Sequence, residues 1–302
     1  MKKIYKYMPI REMLFQHPSL RGSQRGVLND PFELNPAQEL YDHLIKNSND
    51  HTRLFERADE LSARNSLTDI GVISFTENYN NLLMWSHYAD EHKGMVVEFD
   101  YQKLSNYFNS KLITDTSIGR VRYNSERTPT IHSEIDVSDI LLSKGDDWIY
   151  EKEHRILPNL INADSVIVKS EIFEQCHDFY DDLYINLFHV KEKKDGLVKF
   201  EVNIFECERL DAKRNDGSST DDDEEMSFSH SESVLNEIYT TLAVFPSTIF
   251  LFNFPLETIT SIFLGCRVPE DRVIELKKII SQDICVYKAE LNKSRFALDF
   301  NL

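Results

Sequence analysis

Apolar and polar positions along the chain alternate in several short runs and recur at helical spacing in others. The pattern predicts a first strand over Lys3 to Met8, then a polar, glycine-containing loop ending in the turn sequence Asn29-Asp30-Pro31-Phe32-Glu33. Helical spacing follows over Pro36 to Lys46 and over Thr52 to Arg64, where Leu54, Phe55, Ala58 and Leu61 share one stripe. Gly71 to Thr76 has the β-branched and aromatic content of a strand. Asn78 to Asn81 ends it, Leu82 to Asp90 forms a short helix, and Gly94 opens a strand over Met95 to Phe99. Further strands are predicted at Gly119 to Tyr123, Trp148 to Leu157, Tyr184 to Val190, Val198 to Phe205, Thr248 to Phe252, Ser261 to Leu264 and Cys285 to Ala289. Many of these follow one another with only turns between them. That spacing predicts an α+β fold, a mixed or antiparallel sheet with flanking helices, rather than regular strand-helix alternation.

The chain of 302 residues is expected to form one elaborated domain over 1–302, since 41% apolar residues with 19 Phe and 13 Tyr supply a core. The segment Asp211 to Ser229 carries the acidic run Asp221 to Glu225 and few apolar groups, and is expected to be a mobile acidic insertion. Neither a cleavable leader nor a stretch able to span a bilayer is visible, so a cytoplasmic protein without membrane contact is expected. Cys176, Cys207, Cys266 and Cys285 lie far apart with no C-x-x-C spacing, which suggests neither a zinc site nor a disulfide framework. A net charge of −17 gives no global footprint for nucleic acid, so any such role needs a local groove.

Function-capable side chains concentrate in two places. The first runs from Ser74-Phe75-Thr76-Glu77 through Met84-Trp85-Ser86-His87-Tyr88-Ala89-Asp90 to His92-Lys93-Gly94. On a helix, Leu82, Trp85 and Tyr88 or Ala89 share one stripe, most simply core, while Leu83, His87 and Asp90 share another. The second is Trp148-Ile149-Tyr150-Glu151-Lys152-Glu153-His154-Arg155-Ile156-Leu157. On a strand, Glu151, Glu153 and Arg155 point one way and Tyr150, Lys152, His154 and Ile156 the other. Charge on both faces means an edge strand or the wall of a polar cleft.

These motifs carry a resemblance. Phe75 and Glu77, the block from Met84 to Gly94, and Trp148-x-Tyr150-Glu151-Lys152-Glu153-x-Arg155-Ile156 resemble a bacterial family known as domain of unknown function 2971. The Asn29 to Glu33 turn and Leu264-Gly265 match as well, so the resemblance runs nearly end to end. Family members often carry an arginine after the first Lys-Tyr, whereas here Met8 follows Lys6-Tyr7.

A split mixed sheet with an early aromatic strand, a serine-bearing second strand and a late E-x-E strand is in turn similar to the layout of NAD-dependent ADP-ribosyltransferases. That likeness implies NAD as a substrate and no metal. Glu153 would stabilise positive charge on the ribose, and Glu151 would orient or deprotonate the acceptor. Tyr7, Ser74, Trp85, His87, Tyr88 and Arg155 would bind the cofactor, with Trp85 or Tyr88 stacking on nicotinamide. Arg155 would either pair with the diphosphate or hold the two carboxylates. It also implies a toxin-type or anti-phage defence effector acting on a macromolecule, with RNA or DNA ahead of protein on family grounds, and an antitoxin-like partner for which the acidic insertion is a place to act. Two other readings stand beside it. One is a metal-dependent nuclease using Asp147, Glu151, Glu153 and Lys152; the other is a non-catalytic interaction module.

Overall fold

The structure is a computed structural model, and it describes residues 2–35, 69–109, 118–127, 141–181, 187–202 and 235–301. The two helices expected over Pro36 to Arg64 and the acidic insertion expected over Asp211 to Ser229 lie outside the described residues.

The strands are β1 (Lys3–Met8), β2 (Ser19–Gly22), β3 (Ile73–Thr76), β4 (Met95–Asp100), β5 (Gly119–Arg120), β6 (Arg122–Asn124), β7 (Ser143–Gly145), β8 (Glu153–Ile156), β9 (Ser165–Lys169), β10 (Phe188–Lys194), β11 (Leu197–Val202), β12 (Ile249–Asn253), β13 (Ile259–Leu264), β14 (Cys285–Leu291) and β15 (Leu298–Asn301). An eight-stranded mixed sheet has the order β15-β14-β13-β4-β1-β3-β8-β5, and a five-stranded antiparallel sheet the order β10-β11-β9-β12-β2. In the large sheet only β13 and β14 run parallel. The helix Glu270–Ile279 makes the crossover that a parallel neighbour requires. The α+β expectation therefore holds.

β4 reads Met-Val-Val-Glu-Phe-Asp and is buried along nearly its whole length, as a central strand covered on both faces must be. One of its faces meets the second sheet. Val97 and Phe99 share a core with Val166 and Val168 of β9 and with Phe250 and Phe252 of β12. The other face is covered by the helix Leu82–Tyr88, here α1, through Met84 and Trp85, in an apolar cluster that includes Leu298 of β15.

Two expectations are corrected. The run Trp148 to Leu157 is not one strand: Asp146–Glu151 forms a 3₁₀ turn, Lys152 takes a left-handed backbone (φ 45°), and β8 begins only at Glu153. Gly119 to Tyr123 breaks at Val121 into β5 and β6, which join different sheets. Strands β2, β7, β9 and β15 are additions to the expected set.

The sheet opens beside β1. That strand has six registered pairs with β4 but a single one with β3, Tyr5 opposite Thr76. β3 in turn carries four pairs with β8. The large sheet is thus split between β1 and β3, and the candidate site lies at the split.

Candidate functional site

A cleft of about 210 Å³ occupies the split. β1 contributes Tyr5, Lys6 and Tyr7 to its walls, β3 contributes Ser74 and Thr76, and α1 contributes Met84 and Tyr88. Asn29 and Glu33 come from the turn after β2, Lys144 from β7, and Glu151 and Glu153 from either side of the left-handed Lys152. The volume is below the roughly 300–1,000 Å³ typical of pockets for drug-sized ligands.

Its floor is a buried ionic cluster. Arg155, whose side chain is fully buried, donates from Nε to Glu153 Oε1 (2.8 Å) and from Nη2 to Glu153 Oε2 (2.9 Å). Nη1 donates to the Leu141 carbonyl (2.8 Å), and Nη2 also contacts Glu33. Lys144 Nζ bridges three carboxylates, Glu151 at 2.7 Å, Glu153 at 3.3 Å and Glu33 at 3.4 Å. Isolated charges at this depth would cost several kcal/mol each, so the interleaving of two cations among three anions is what lets them stay.

Burial alone would raise the Glu153 carboxyl, but Arg155 foremost, then Lys144 and the Ser74 hydroxyl, bring it down to about 2. Burial wins at Glu33, which is raised despite Arg155 and Lys144. At Lys144 the three carboxylates outweigh burial and raise the ammonium above its ordinary value.

The two glutamates of the E-x-E pattern differ in what they have left to offer. A carboxylate has about four lone-pair sites. Glu153 accepts twice from Arg155 and once from Lys144, which occupies three of them. Glu151 accepts from Lys144 and from the Tyr88 hydroxyl (2.5 Å), so half of its capacity faces the cleft. That bond, after burial, raises the Tyr88 phenol.

Local structure explains how Glu151 reaches this position. Asn81 caps α1 by accepting from Leu83 N and Met84 N, and its amide donates to the Tyr150 carbonyl at 3.1 Å. Thr76 Oγ1 donates to the Glu151 carbonyl at 2.6 Å. Helix, strand and 3₁₀ turn are therefore fastened together around one residue.

The expected site residues divide. Tyr7, Ser74, Tyr88, Glu151 and Glu153 line the cleft together. Arg155 lies behind it with no exposed side-chain surface, away from any diphosphate, and it holds Glu153 and Glu33 rather than the expected pair of Glu151 and Glu153. Trp85 is fully buried, donates to the Tyr79 carbonyl (2.9 Å) and packs edge-on against Tyr7; it is core, not a stacking surface for a ligand. His87 is exposed and outside the cleft. Asp147 and Lys152 are exposed and line no part of it either, which leaves the nuclease grouping without two of its members. Among the described residues no three His, Cys, Asp or Glu side chains are grouped to hold a metal ion. Nor is any described helix long and apolar enough to cross a membrane.

Glu33, Lys144 and Lys6 were not among the expected site residues. Glu33 sits in the recognised turn motif, where its carboxylate was the available signal; a lone lysine in Ser143-Lys144-Gly145 carries no signal at all.

The model of a family described as a protein of unknown function (DUF2971) matches residues 84–156. The matched segment contains Tyr88, Lys144, Glu151, Glu153 and Arg155, while Tyr7, Glu33 and Ser74, and the flanking motifs at Asn29 to Glu33 and Leu264-Gly265, lie outside it. No curated protein and no solved structure matches the chain.

Proposed function

We propose that the cleft binds the nicotinamide-ribose end of NAD and transfers ADP-ribose to a macromolecular acceptor. The observation that carries this reading is the convergence of β1, β3 and β8 on one cleft, with a carboxylate, Glu151, held by Tyr88 and Lys144 and still able to accept. Breaking the bond between nicotinamide and ribose C1′ returns the bonding pair to the ring nitrogen and leaves positive charge on the ribose. An anion already fixed in a water-poor cleft stabilises that charge without reorganising. Glu151 takes this role, in place of Glu153, most of whose acceptor capacity is taken by Arg155 and Lys144. Tyr7 and Tyr88 bring aromatic surface to the cleft, and Ser74 braces Glu153.

An effector of the toxin or defence type, working in the cytoplasm and restrained by an antitoxin-like partner, is the setting this proposal suggests. RNA or DNA is the acceptor class placed first, with contact confined to the cleft mouth because the chain is strongly acidic overall. The test is transfer of label from adenylate-labelled NAD into total RNA, DNA and protein, with the unsubstituted chain beside Glu151→Gln. Label in one fraction, lost in the variant, supports the reading and names the acceptor class. No label anywhere, with NAD intact, removes it.

A further inference from the structure

Lys6 lines the cleft, and the reaction above leaves it unused. At the split, where β1 and β3 have no further registered pair beyond Tyr5 and Thr76, the Lys6 ammonium donates to the Ser74 carbonyl at 2.8 Å. It also stands 5.4 Å from the centre of the Phe75 ring. These partners differ from those of other lysines nearby. Lys144 touches three carboxylates, and Lys3 is paired with Glu98 at 2.6 Å. A carbonyl and a ring face hold an ammonium less firmly than carboxylates do, and a neutral amine still donates to a carbonyl. Burial accordingly brings Lys6 down to about 8; Glu153 from β8 pulls the other way, and Arg11 just beyond β1 adds to the lowering.

We propose that Lys6 is a residue of covalent chemistry: its amine attacks the carbonyl carbon of an aldehyde or open-chain sugar in the cleft and joins to it as an imine. The nitrogen lone pair forms the new bond while the carbonyl π pair moves to oxygen. The two amine protons leave with that oxygen as water, and a carbon–nitrogen double bond remains. No oxidant, reductant or metal is needed. Lysines desolvated in this way are the ones that serve as imine-forming nucleophiles. The assignment stands whether or not NAD is a substrate.

The test treats the full chain at pH 7 with glycolaldehyde and cyanoborohydride, which turns each imine into a stable two-carbon tag, and follows tagging of every lysine by mass spectrometry. Lys93 and Lys169, whose side chains are 52% and 54% exposed, are the internal references. A lowered proton affinity puts far more amine in the neutral form at pH 7, partly offset by its weaker nucleophilicity. Lys6 is therefore expected to be tagged roughly ten-fold faster than either reference, although it is less exposed. Its rate is expected to rise through about pH 8 and then level off. Tagging of Lys6 no faster than the references, or a rate still climbing at pH 10, overturns the proposal. Because residues are read individually in the unsubstituted chain, neither a folding defect nor a failure of NAD turnover affects the outcome.

Discussion

Replacing Arg155 with methionine removes one cation from a cluster that has no solvent to replace it. Arg155 Nε and Nη2 hold Glu153 at 2.8 and 2.9 Å, and Glu33 loses a partner at the same time. The size of the loss follows from Glu153. Its carboxyl stands at about 2 rather than 4.5, a difference equivalent to about 3 kcal/mol at neutral pH. A buried pair broken on one side costs about 3–5 kcal/mol, so Arg155→Met is expected to lose that much of a total of order 5–15 kcal/mol. Urea unfolding at pH 7 measures it, with Glu153→Gln and the double variant completing a cycle. The double variant is expected to be more stable than additivity predicts by about 2 kcal/mol, because removing both partners leaves less unpaired charge. The pH dependence supplies a second check. A carboxyl held below its ordinary value stabilises the fold above about pH 4.5, and that contribution is lost as pH falls through about 2. Glu33, raised by burial, acts in the opposite sense, since its protonation on acidification relieves a buried charge. The Glu153 contribution is expected to shrink strongly in Arg155→Met. A loss below about 1 kcal/mol with strict additivity would refute the claim that this cluster holds the site together.

Three further outcomes follow from individual contacts. Tyr88→Phe removes the 2.5 Å bond to Glu151 and is expected to slow transfer roughly ten-fold or more and to cost about 1–3 kcal/mol in urea unfolding, since it leaves a buried carboxylate oxygen without its donor. Gly265→Ala would drive its new methyl group into the His92 carbonyl, in a segment where Asp90, Glu91 and His92 all adopt left-handed backbone (φ 46°, 52° and 70°). It is expected to cost about 2–3 kcal/mol in urea unfolding, whereas Gly26→Ala, with open space around the added group, stays within about 0.5 kcal/mol. His87→Ala, outside the cleft, is expected to leave transfer within about two-fold of the unsubstituted chain in a steady-state assay.

Periodicity made the strand Lys3–Met8 legible to the residue, along with the helix beginning at Leu82 and the strand beginning at Met95, because each has its own local pattern and stop signal. The split sheet was legible as a class. Its location was not, since it depends on how few pairs β1 makes with β3, a property of two segments far apart in sequence. Alternation placed Glu153 and Arg155 on one face, yet it set Glu151 on the same strand. The break is made by Lys152 at φ 45°, where neither glycine nor asparagine marks a left-handed residue. Charges on both faces of this region suggested an edge or a cleft wall. β8 is no edge, being flanked by β3 and β5, but it is a cleft wall through Glu153, and its buried Arg155 is tolerable only with the tertiary partners Glu33 and Lys144 around it. Such pairings leave no trace in local spacing, which is also why the division of labour between Glu151 and Glu153 emerges only from the hydrogen bonds.

The central claim is that Glu151 is the working carboxylate of the cleft and Glu153 its brace. The most direct test is the rate of nicotinamide release from NAD per folded molecule, measured for the unsubstituted chain, Glu151→Gln and Glu153→Gln under conditions where each is shown to be folded. The account predicts that Glu151→Gln keeps its stability but loses release by at least about a hundred-fold, while Glu153→Gln loses stability first and retains more activity per folded molecule. Undiminished release by folded Glu151→Gln, with Glu153→Gln folded and inactive, would contradict it.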